Sequence, residues 1–346
     1  MAGTPSRRFN VAVVGATGVV GAEMLKVLLQ RSFPVGEVRA LASGRSAGQV
    51  IPFNGDRLEV RALDRQSFAG IDLALFSAGA GISTELAPHA VEAGALVVDN
   101  SSAWRMAENC PLVVPEVNGD DIAEGEGIIA NPNCCAIPLT MVVDPIRRAV
   151  GLERVVVSTY QSASGAGKPL LDELEEQTRI IAAGGRPVAS VYPKQLAHNV
   201  VPGGWAMDRD GYNEEEVKIV NESRKILHDP DLRIVVTCVR VPVPVGHGEA
   251  VFLETIDPIS PERVRELLGA SAGITVEDDP TGQVYPTPAE VAGRDDVYVG
   301  RIRRDPSTRN GIALWLVSDN LRKGAALNAV QVAERAIEMG VLRGGA

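Results

Sequence analysis

The sequence is poor in several residue types, and each shortage narrows the class of protein. Its 346 residues include only four cysteines and 4% aromatic residues. The cysteines have neither the spacing of a disulfide framework nor a CxxC metal pattern, so a disulfide-rich scaffold and a structural metal domain are disfavoured and no metal is expected. With few aromatic side chains, the core must be filled by Val, Ile, Leu and Ala, which suits parallel sheets buried on both faces.

Positive charge is also scarce, and long apolar runs are missing. The formal net charge is −10, and basic residues form only short clusters such as Arg301 to Arg304. An acidic chain without a basic stripe is a poor candidate for binding nucleic acid or an anionic membrane. The segment MAGTPSRRFN lacks the apolar stretch of a signal peptide, and no run reaches transmembrane length. We therefore expect a soluble, cytoplasmic protein with reduced thiols.

The first half of the sequence alternates apolar strands with helices. FNVAVVG (Phe9–Gly15) predicts a strand that ends in a turn, and apolar residues at helical spacing follow it. The runs VRALAS, IDLALFSAG and ALVVDNSS predict further strands, with a helix at about residues 83–93. This is the βαβαβ order of a doubly wound, Rossmann-like parallel sheet.

The rhythm changes at about residue 153, where longer strand candidates begin. RVVVSTYQSAS, LRIVVTCVRVPVPV, EAVFLETI and GIALWLVSDN predict a mixed or antiparallel sheet, with helices at about 168–183 and 213–227. The predicted fold class is α/β, with an N-terminal Rossmann-like parallel sheet and a second α+β domain with a mixed sheet. We expect the first domain to comprise 1–133 and 320–346, because the C-terminal amphipathic helix is expected to pack back on it. The second domain then comprises 134–319.

The glycine-rich segment GATGVVG lies between the first predicted strand and the first helix. There, Gly15 permits a tight turn, Gly18 lets backbone N–H groups approach a pyrophosphate, and Gly21 allows close packing of helix on strand. The spacing is GxxGxxG, and ordinary turns also use glycine. The strand–turn–helix context is what predicts a dinucleotide-binding site.

The end of the second predicted strand indicates which dinucleotide is bound. An NAD site usually places Asp or Glu there, to accept from the ribose 2′-hydroxyl. ASGRSAG instead offers Ser43, Arg45 and Ser46 and no acid. Because arginine pairs bidentately with a phosphate, we predict NADP rather than NAD. The alternative is a polar surface loop.

NPNCCAIPL (Asn131–Leu139) places two adjacent cysteines at a predicted helix start. A nucleophilic cysteine needs its thiolate, and a helix N-terminus lowers the pKa of a thiol. Neighbouring residues at a helix start point about 100° apart, so only one of the two can face a cleft. We expect Cys134 to face it and Cys135 to pack inwards. Core packing is the alternative for both.

A nucleophilic cysteine needs an acid–base partner, and one of the four histidines of the sequence has a suitable position. His247 follows a predicted strand in RVPVPVGHGE, with glycine on both sides, and Arg240 precedes it by seven positions. That pair suits an acid–base group and a carboxylate anchor, the alternative being a loop histidine beside a structural arginine. His198 stays ambiguous. TYQSASGAGK (Thr159–Lys168) is similar to a second cofactor-binding loop, in which Gln161 could orient a reacting group.

The order and separation of these motifs resemble those of the aspartate-β-semialdehyde dehydrogenase family over nearly the whole chain. The matching segments are GATGVVG, SGRSAG, NSSAWR, NPNC, YQSASGAG, GYNEEEVK, RVPVPVGHGEAV and SDNLRKGAALNAVQ. The resemblance implies reversible, NADP-dependent conversion of L-aspartate 4-semialdehyde and phosphate into L-4-aspartyl phosphate through a cysteine thioester, in lysine, methionine and threonine biosynthesis. It also implies a homodimer built through the second, catalytic domain.

The resemblance assigns roles to individual residues. It implies that Cys134 is the nucleophile, His247 the general acid–base that takes the thiol proton, and Gln161 the residue that positions the intermediate. It matches Arg240 to the arginine that binds the substrate carboxylate and Glu215 to the acid that meets the amino group. The remaining implied residues are Arg105, Asn133 and Lys218 for phosphate, and Thr17, Val19, Ser164, Gly165 and Asn320 for the cofactor, besides Gly15, Gly18, Gly21, Ser43, Arg45 and Ser46.

The sequence departs from the family pattern at two positions, and two rival functions stay open. Cys135 stands where Ser or Thr is usual, and Lys168 where a small residue is common. N-acetyl-γ-glutamyl-phosphate reductase is the nearest rival, but an N-acetyl group does not need the acid that EEEVK supplies. A non-catalytic NADP-binding homologue is the rival of another class, and the intact set of catalytic residue types disfavours it.

Overall fold

The computed structural model describes residues 7–343 of the chain. These residues separate into two compact units. The first runs to Pro132 and resumes at Ala325, and the second spans Asn133–Gly324. Among the helices of the described range, none combines the length and the apolar character needed to span a bilayer.

The helices and strands follow the chain in this order. The first unit begins with β1 (Phe9–Val14), α1 (Val19–Gln30), β2 (Val35–Ala42), β3 (Val50–Phe53), β4 (Asp56–Ala62), β5 (Leu73–Phe76), α2 (Ala80–Glu92), β6 (Leu96–Asp99), α3 (Pro115–Asn118) and β7 (Ile128–Ala130). The second unit contains α4 (Ala136–Val150), β8 (Leu152–Gln161), α5 (Lys168–Ala182), α6 (Glu214–Ile226), β9 (Ile234–Arg240), β10 (His247–Thr255), α7 (Pro261–Gly269), β11 (Ile274–Val276), α8 (Pro288–Val291), β12 (Val297–Asp305) and β13 (Gly311–Ser318). The last helix, α9 (Leu327–Glu338), belongs to the first unit.

The first unit is built on a sheet in the order β3-β4-β2-β1-β5-β6-β7. It is parallel except at its edge, where β3 pairs antiparallel with β4. Alternate residues of β1 enter opposite cores: Val11 and Val13 pack with residues of α1 and α9, and Ala12 and Val14 with residues of α2. Both faces of the central strands are therefore covered by helices, which confirms the predicted Rossmann-like sheet.

The second unit contains a sheet in the order β11-β12-β13-β10-β8-β9. Strand β10 pairs antiparallel with β8 and β13, whereas β8 pairs parallel with β9 and β11 with β12, so the predicted mixed sheet is confirmed. Strands β8 and β9 bring Gln161 opposite Arg240 at their carboxyl ends. His247 starts β10 at the same end, because Gly248 of β10 pairs with Tyr160 of β8. Strand ends thus gather the polar residues of this unit.

Candidate active site

The chain enters α4 through the segment that carries both cysteines. The side-chain oxygen of Asn133 accepts the backbone N–H of Cys135 at 2.8 Å, and its carbonyl accepts the N–H of Ile137 at 3.1 Å. Asn133 therefore fixes the turn that leads into α4, whose N-cap position is occupied by Cys135. Cys135 is completely buried, whereas Cys134 is half-buried. Two adjacent thiols thus have different surroundings.

These surroundings move the pKa values of the two thiols in opposite directions. A hydrogen bond with Cys135 holds the pKa of Cys134 well below its ordinary value, and His247 and Arg240 lower it further against the effect of burial. Burial raises the pKa of Cys135 well above the ordinary value, and its contact with Cys134 adds to the rise. Cys134 is therefore the thiol of the pair that ionises more readily.

His247 is fully buried next to the thiols. Its Nδ1 accepts the backbone N–H of Ser162 at 3.0 Å, with Ser162 Oγ also 3.0 Å away. Because Nδ1 accepts this N–H, a ring proton lies on the other nitrogen, Nε2, which has no hydrogen-bond partner among the described residues and lies on the side of Cys134. A ring nitrogen and the two sulfurs lie within 4.8 Å of one another, as in a zinc site, but a protonated Nε2 has no lone pair for a metal.

Arg240 ends β9 and is buried beside two aromatic rings. Its guanidinium carbon lies 4.8 Å from the ring centre of Trp205 and 5.7 Å from that of Tyr192. Nη1 donates to the carbonyl of Ser162 at 2.8 Å. The two rings hold the guanidinium through cation–π contacts, and its other N–H groups can pair with a carboxylate. Both aromatic residues come from the loop between α5 and α6, and no spacing rule links them to Arg240, so the sequence pattern did not indicate them.

The carboxylate of Glu215, in the first turn of α6, is surrounded by polar side chains. It accepts from Nδ2 of Asn133 at 2.8 Å and from Nε2 of Gln161 at 3.4 Å, and Nζ of Lys218 lies 4.0 Å away. The backbone N–H of Asn133 donates to Glu222 at 2.6 Å. Asn133, Gln161, Glu215 and Lys218 are thus brought together within the second unit. Glu222 was not foreseen, since nothing in its spacing distinguishes it from an exposed helical acid.

Three residues expected at the cofactor also lie in the second unit. Oδ1 of Asn320 accepts from Ser162 Oγ at 3.0 Å, and its Nδ2 donates to Ser164 Oγ at 3.0 Å. A Cβ added at Gly165 would lie 3.0 Å from Nε2 of His247. This hydrogen-bonded group fixes Ser162, and Ser162 in turn fixes the ring of His247. The missing side chain of Gly165 keeps the space beside that ring open.

In the first unit, the turn between β1 and α1 has the form that a dinucleotide requires. Gly15 has a φ of +83°, and a Cβ there would lie 2.3 Å from the carbonyl oxygen of Ser77. A Cβ on Gly21 would lie 2.2 Å from the carbonyl oxygen of Gly15. Gly18 precedes α1 without a side-chain cap, so the first N–H groups of the helix stay open to a ligand. The glycines allow the backbone to pack this closely, and the open N–H groups at the start of α1 can then bind a pyrophosphate.

The loop after β2 presents the residues expected at the 2′-phosphate. Ser43 directly follows the last residue of β2, and it and Arg45 are exposed, while Ser46 is half-buried. The backbone N–H of Ser46 donates to the carbonyl of Ser43 at 2.8 Å and closes the turn. Arg45 has no acidic partner within the described chain. Its guanidinium is available to an anionic ligand.

The expected phosphate residues are divided between the two units. Arg105 lies in the first unit, where it is buried and its Nη2 donates to the carbonyl of Asn100 at 2.9 Å. Asn133 and Lys218 lie in the second unit, next to Glu215. His198, the ambiguous histidine, is exposed and has a φ of 58°.

A glycine-lined dinucleotide turn on a parallel sheet, together with a thiolate beside an imidazole, defines the class of protein: an NAD(P)-binding oxidoreductase that acts on an aldehyde. Residues 10–125 match the NAD binding domain of semialdehyde dehydrogenases, and residues 143–323 match their dimerisation domain. The aspartate-semialdehyde dehydrogenase of Bacillus subtilis (strain 168) is 48% identical over 336 residues, which cover 95% of this chain and 97% of its own. The chain therefore belongs to the aspartate-semialdehyde dehydrogenase family, as its motifs predicted.

Solved structures agree with this assignment. Aspartate semialdehyde dehydrogenase II from Vibrio cholerae, complexed with ASA, has a TM-score of 0.92 and 46% identity, over 96% of this chain and 99% of its own. The Candida albicans enzyme with NADP has a TM-score of 0.75 and 25% identity, over 97% of this chain and 100% of its own. The first domain of this chain is therefore an NAD(P)-binding domain, and the second is a dimerisation domain.

Proposed function

We propose that the protein reversibly converts L-aspartate 4-semialdehyde, phosphate and NADP⁺ into L-4-aspartyl phosphate and NADPH, the first substrate being the one for which its relatives are named. The observation that carries the proposal is the half-buried thiol of Cys134, whose sulfur lies within 4.8 Å of a ring nitrogen of His247 and of the sulfur of Cys135, and whose pKa is lowered by these neighbours. Oxidation of an aldehyde to an acyl phosphate through a thioester requires such a thiolate.

Cys134 is the proposed nucleophile. Its sulfur bonds to the aldehyde carbon, and the carbonyl oxygen becomes an alkoxide near His247. Because Nδ1 of His247 accepts from Ser162, Nε2 is the nitrogen that holds a proton, and it donates a hydrogen bond to this alkoxide while keeping the proton, so that the alkoxide can lose hydride and become the thioester carbonyl. The same N–H stabilises the thiolate when it leaves again. In this proposal His247 acts as a donor through Nε2 and does not take the thiol proton, as the resemblance had implied; the lowered pKa of Cys134 makes a strong base unnecessary.

The first unit is the proposed NADP site. The pyrophosphate lies at the turn from Gly15 to Gly21, which includes Thr17 and Val19, and the 2′-phosphate lies at Ser43, Arg45 and Ser46. Bound NADP⁺ supplies the hydride acceptor that the oxidation of the adduct requires. NADP rather than NAD is supported by the exposed Arg45 after β2 and by the NADP in the Candida albicans structure. Ser164, Gly165 and Asn320 complete the proposed set, beside His247.

Arg240 and Glu215 are proposed to recognise the two ends of the amino acid. The guanidinium of Arg240, held by its cation–π contacts with Trp205 and Tyr192, pairs with the α-carboxylate. Glu215 meets the α-ammonium group, and its position is fixed by the hydrogen bonds from Asn133 and Gln161. Gln161 positions the thioester carbonyl from the end of β8.

Arg105, Asn133 and Lys218 are proposed to bind the phosphate. One phosphate oxygen attacks the thioester carbon, the carbon–sulfur bond breaks, and Cys134 leaves as the thiolate. The cationic side chains offset the charge repulsion between phosphate and the substrate carboxylate. Lys218 is one-third exposed and lies 3.7 Å from Glu214 and 4.0 Å from Glu215, so its ammonium can exchange these long contacts for phosphate.

The proposed assembly is a homodimer that forms through the outer face of the second sheet. Tyr160 and Phe252 are each 38% exposed on that face, and the ring of Tyr160 lies 5.4 Å from that of Trp315. Exposed aromatic clusters are typical of protein interfaces. Sedimentation analysis tests the proposal: Phe252→Glu is expected to shift the protein from dimer to monomer.

The decisive test of the activity is NADPH formation from aspartate semialdehyde, with and without phosphate, and with N-acetylglutamate semialdehyde as the rival substrate. We expect turnover only with the first substrate and only with phosphate. A folded protein that leaves aspartate semialdehyde unchanged contradicts the proposal. Turnover of the acylated substrate alone would instead favour the rival function, N-acetyl-γ-glutamyl-phosphate reductase.

A further inference from the structure

Helix α5 carries two polar side chains on its buried face, and the chemistry above uses neither. Glu173 and Gln177 lie one turn apart and are 8% and 1% exposed. They share this face with Leu170 and Leu174, which pack in an apolar cluster. An acid and an amide are seldom buried unless hydrogen bonds compensate for their lost hydration, so their partners indicate what the two residues do.

Glu173 binds the backbone of the long segment that joins α5 to α6. Its Oε2 accepts the backbone N–H groups of Ser190 at 2.8 Å and of Val191 at 2.6 Å, and the hydroxyl of Ser190 at 2.6 Å. Its Oε1 accepts from Nε2 of Gln177 at 3.1 Å. Both carboxylate oxygens are therefore occupied, and one of them holds two consecutive residues of the segment.

Gln177 holds the same segment a few residues further on. Its Oε1 accepts the backbone N–H groups of Leu196 at 2.9 Å and of Ala197 at 3.0 Å. Residues 183–212, all of them described, form no helix or strand of their own, and segments of this length without secondary structure are usually functional. The acid and the amide of α5 thus supply acceptors that a helix or sheet would otherwise provide.

The segment that Glu173 holds contributes the two aromatic rings beside Arg240. Tyr192 directly follows the residues bound by Glu173, and its ring packs so closely on Gly204 that a Cβ there would lie 2.2 Å from it. Trp205 comes next in the chain, and its ring lies 6.3 Å from that of Tyr192, at a right angle. Both rings contact the guanidinium of Arg240, at 5.7 Å and 4.8 Å.

The backbone of the segment is also joined to the strand that carries this arginine. Val201 and Arg240 exchange two backbone hydrogen bonds, of 2.9 Å and 2.8 Å. The segment is thus attached to α5 on one side and to the end of β9 on the other. The position of the guanidinium therefore depends on the conformation of the segment.

We propose that Glu173 is a positioning residue for substrate binding: its carboxylate holds residues 190–191 and thereby keeps Tyr192 and Trp205 against the guanidinium of Arg240. The inference rests on the proposed function, because it takes Arg240 as the residue that binds the α-carboxylate. Without the acid, the backbone N–H groups lose their acceptor and the rings are free to move away. A less ordered guanidinium binds the substrate more weakly, whereas the chemistry at Cys134 is unaffected.

Steady-state kinetics of the full-length enzyme test this role. Glu173→Leu removes the acceptor at similar volume, and we expect the KM for aspartate semialdehyde to rise about tenfold, with kcat and the KM for NADP nearly unchanged. Glu173→Gln keeps one acceptor oxygen and should recover most of the affinity. Glu175→Gln is the matched control, because Glu175 lies on the exposed face of the same helix. An unchanged KM for Glu173→Leu, or a fall in kcat alone, overturns the proposal.

A double-mutant cycle tests whether Glu173 acts through the aromatic rings. Trp205→Leu alone is expected to raise the KM about fivefold. If both substitutions disturb the same contact with Arg240, the double variant should have a KM no more than about tenfold above that of the unaltered enzyme. Independent effects would multiply to about fiftyfold, and that result would show that Glu173 does not act through Trp205.

Hydrogen exchange, followed by mass spectrometry on peptides that cover residues 186–198, tests the hydrogen bonds without an activity assay. We expect slow exchange in the unaltered protein and exchange at least about tenfold faster in Glu173→Leu, with α5 unchanged. Exchange as fast as in an unstructured peptide would overturn the proposal. An unaltered enzyme that does not convert aspartate semialdehyde, or an Arg240→Leu variant with unchanged KM, contradicts the proposed function, whereas an Arg240-dependent KM with an unaffected Glu173→Leu contradicts this inference alone.

Discussion

The dinucleotide turn of the first unit and the thiol pocket of the second are built in opposite ways. The turn is a contiguous piece of backbone, in which Gly15 and Gly21 are required because a Cβ at either would lie within 2.3 Å of a carbonyl oxygen. The pocket is made of side chains from separate elements: Cys134 before α4, His247 from β10 and Arg240 from β9. The turn depends on glycines that have no side chain, whereas the pocket depends on side chains that separate elements bring into contact.

This difference predicts two kinds of variant. A change in the turn moves backbone, so it should lower both stability and cofactor binding. A substitution in the pocket removes a reactive side chain but leaves the sheet that supports it intact, so it should lower activity without unfolding the protein. Four substitutions test this contrast, and each has a control in the same region.

The largest effect is expected for Cys134→Ala. Removal of the nucleophile should lower kcat by about 10⁴-fold or more, with little change in thermal unfolding. Cys135→Ala removes only a hydrogen bond to the thiolate, so we expect a loss of about tenfold. Phosphate-dependent NADPH formation measures both. The reverse order, with Cys135→Ala inactive and Cys134→Ala active, would refute the assignment of the nucleophile.

Gly15→Ala should be the most damaging change in the turn. The added Cβ meets the carbonyl oxygen of Ser77 at 2.3 Å, and Ala is strained at a φ of +83°. We expect a loss of about 2–4 kcal/mol in the free energy of unfolding, measured by urea denaturation, together with weaker NADP binding. Gly44→Ala is the control, since nothing lies within 4 Å of a Cβ at Gly44. Equal stability of the two variants would show that the turn tolerates side chains.

Arg45→Ala tests whether the loop after β2 selects the cofactor. An exposed arginine that pairs with a 2′-phosphate should raise the KM for NADP by about 10- to 50-fold and leave the use of NAD unchanged. Arg57→Ala, which alters another exposed arginine of the first unit, should affect neither. A parallel loss with both cofactors would mean that Arg45 does not read the phosphate.

The same contrast explains what the sequence could predict. The glycine turn is local and was read correctly as part of an NAD(P)-binding sheet, whereas the edge hairpin β3–β4 was missed although Asn54 and Gly55 form its turn, with φ values of 51° and 82°. In the pocket, the motifs indicated Cys134 and His247, but not Ser162, which fixes the ring of His247. Contacts between distant segments leave no spacing signal, so only the folded sheet reveals them.

The smallest expected effect belongs to Trp205, whose ring lies 4.8 Å from the guanidinium of Arg240. Trp205→Leu removes the cation–π contact, while the hydrogen bond from Arg240 to the carbonyl of Ser162 persists. Because Trp205 is half-buried in a loop, stability should hardly change. We expect the KM for aspartate semialdehyde to rise about fivefold with kcat nearly unchanged, and Trp205→Phe to retain most of the affinity. A fall in kcat without a change in KM would instead place the indole at the chemical step, and unchanged kinetics would mean that the Ser162 carbonyl and Tyr192 suffice to hold Arg240.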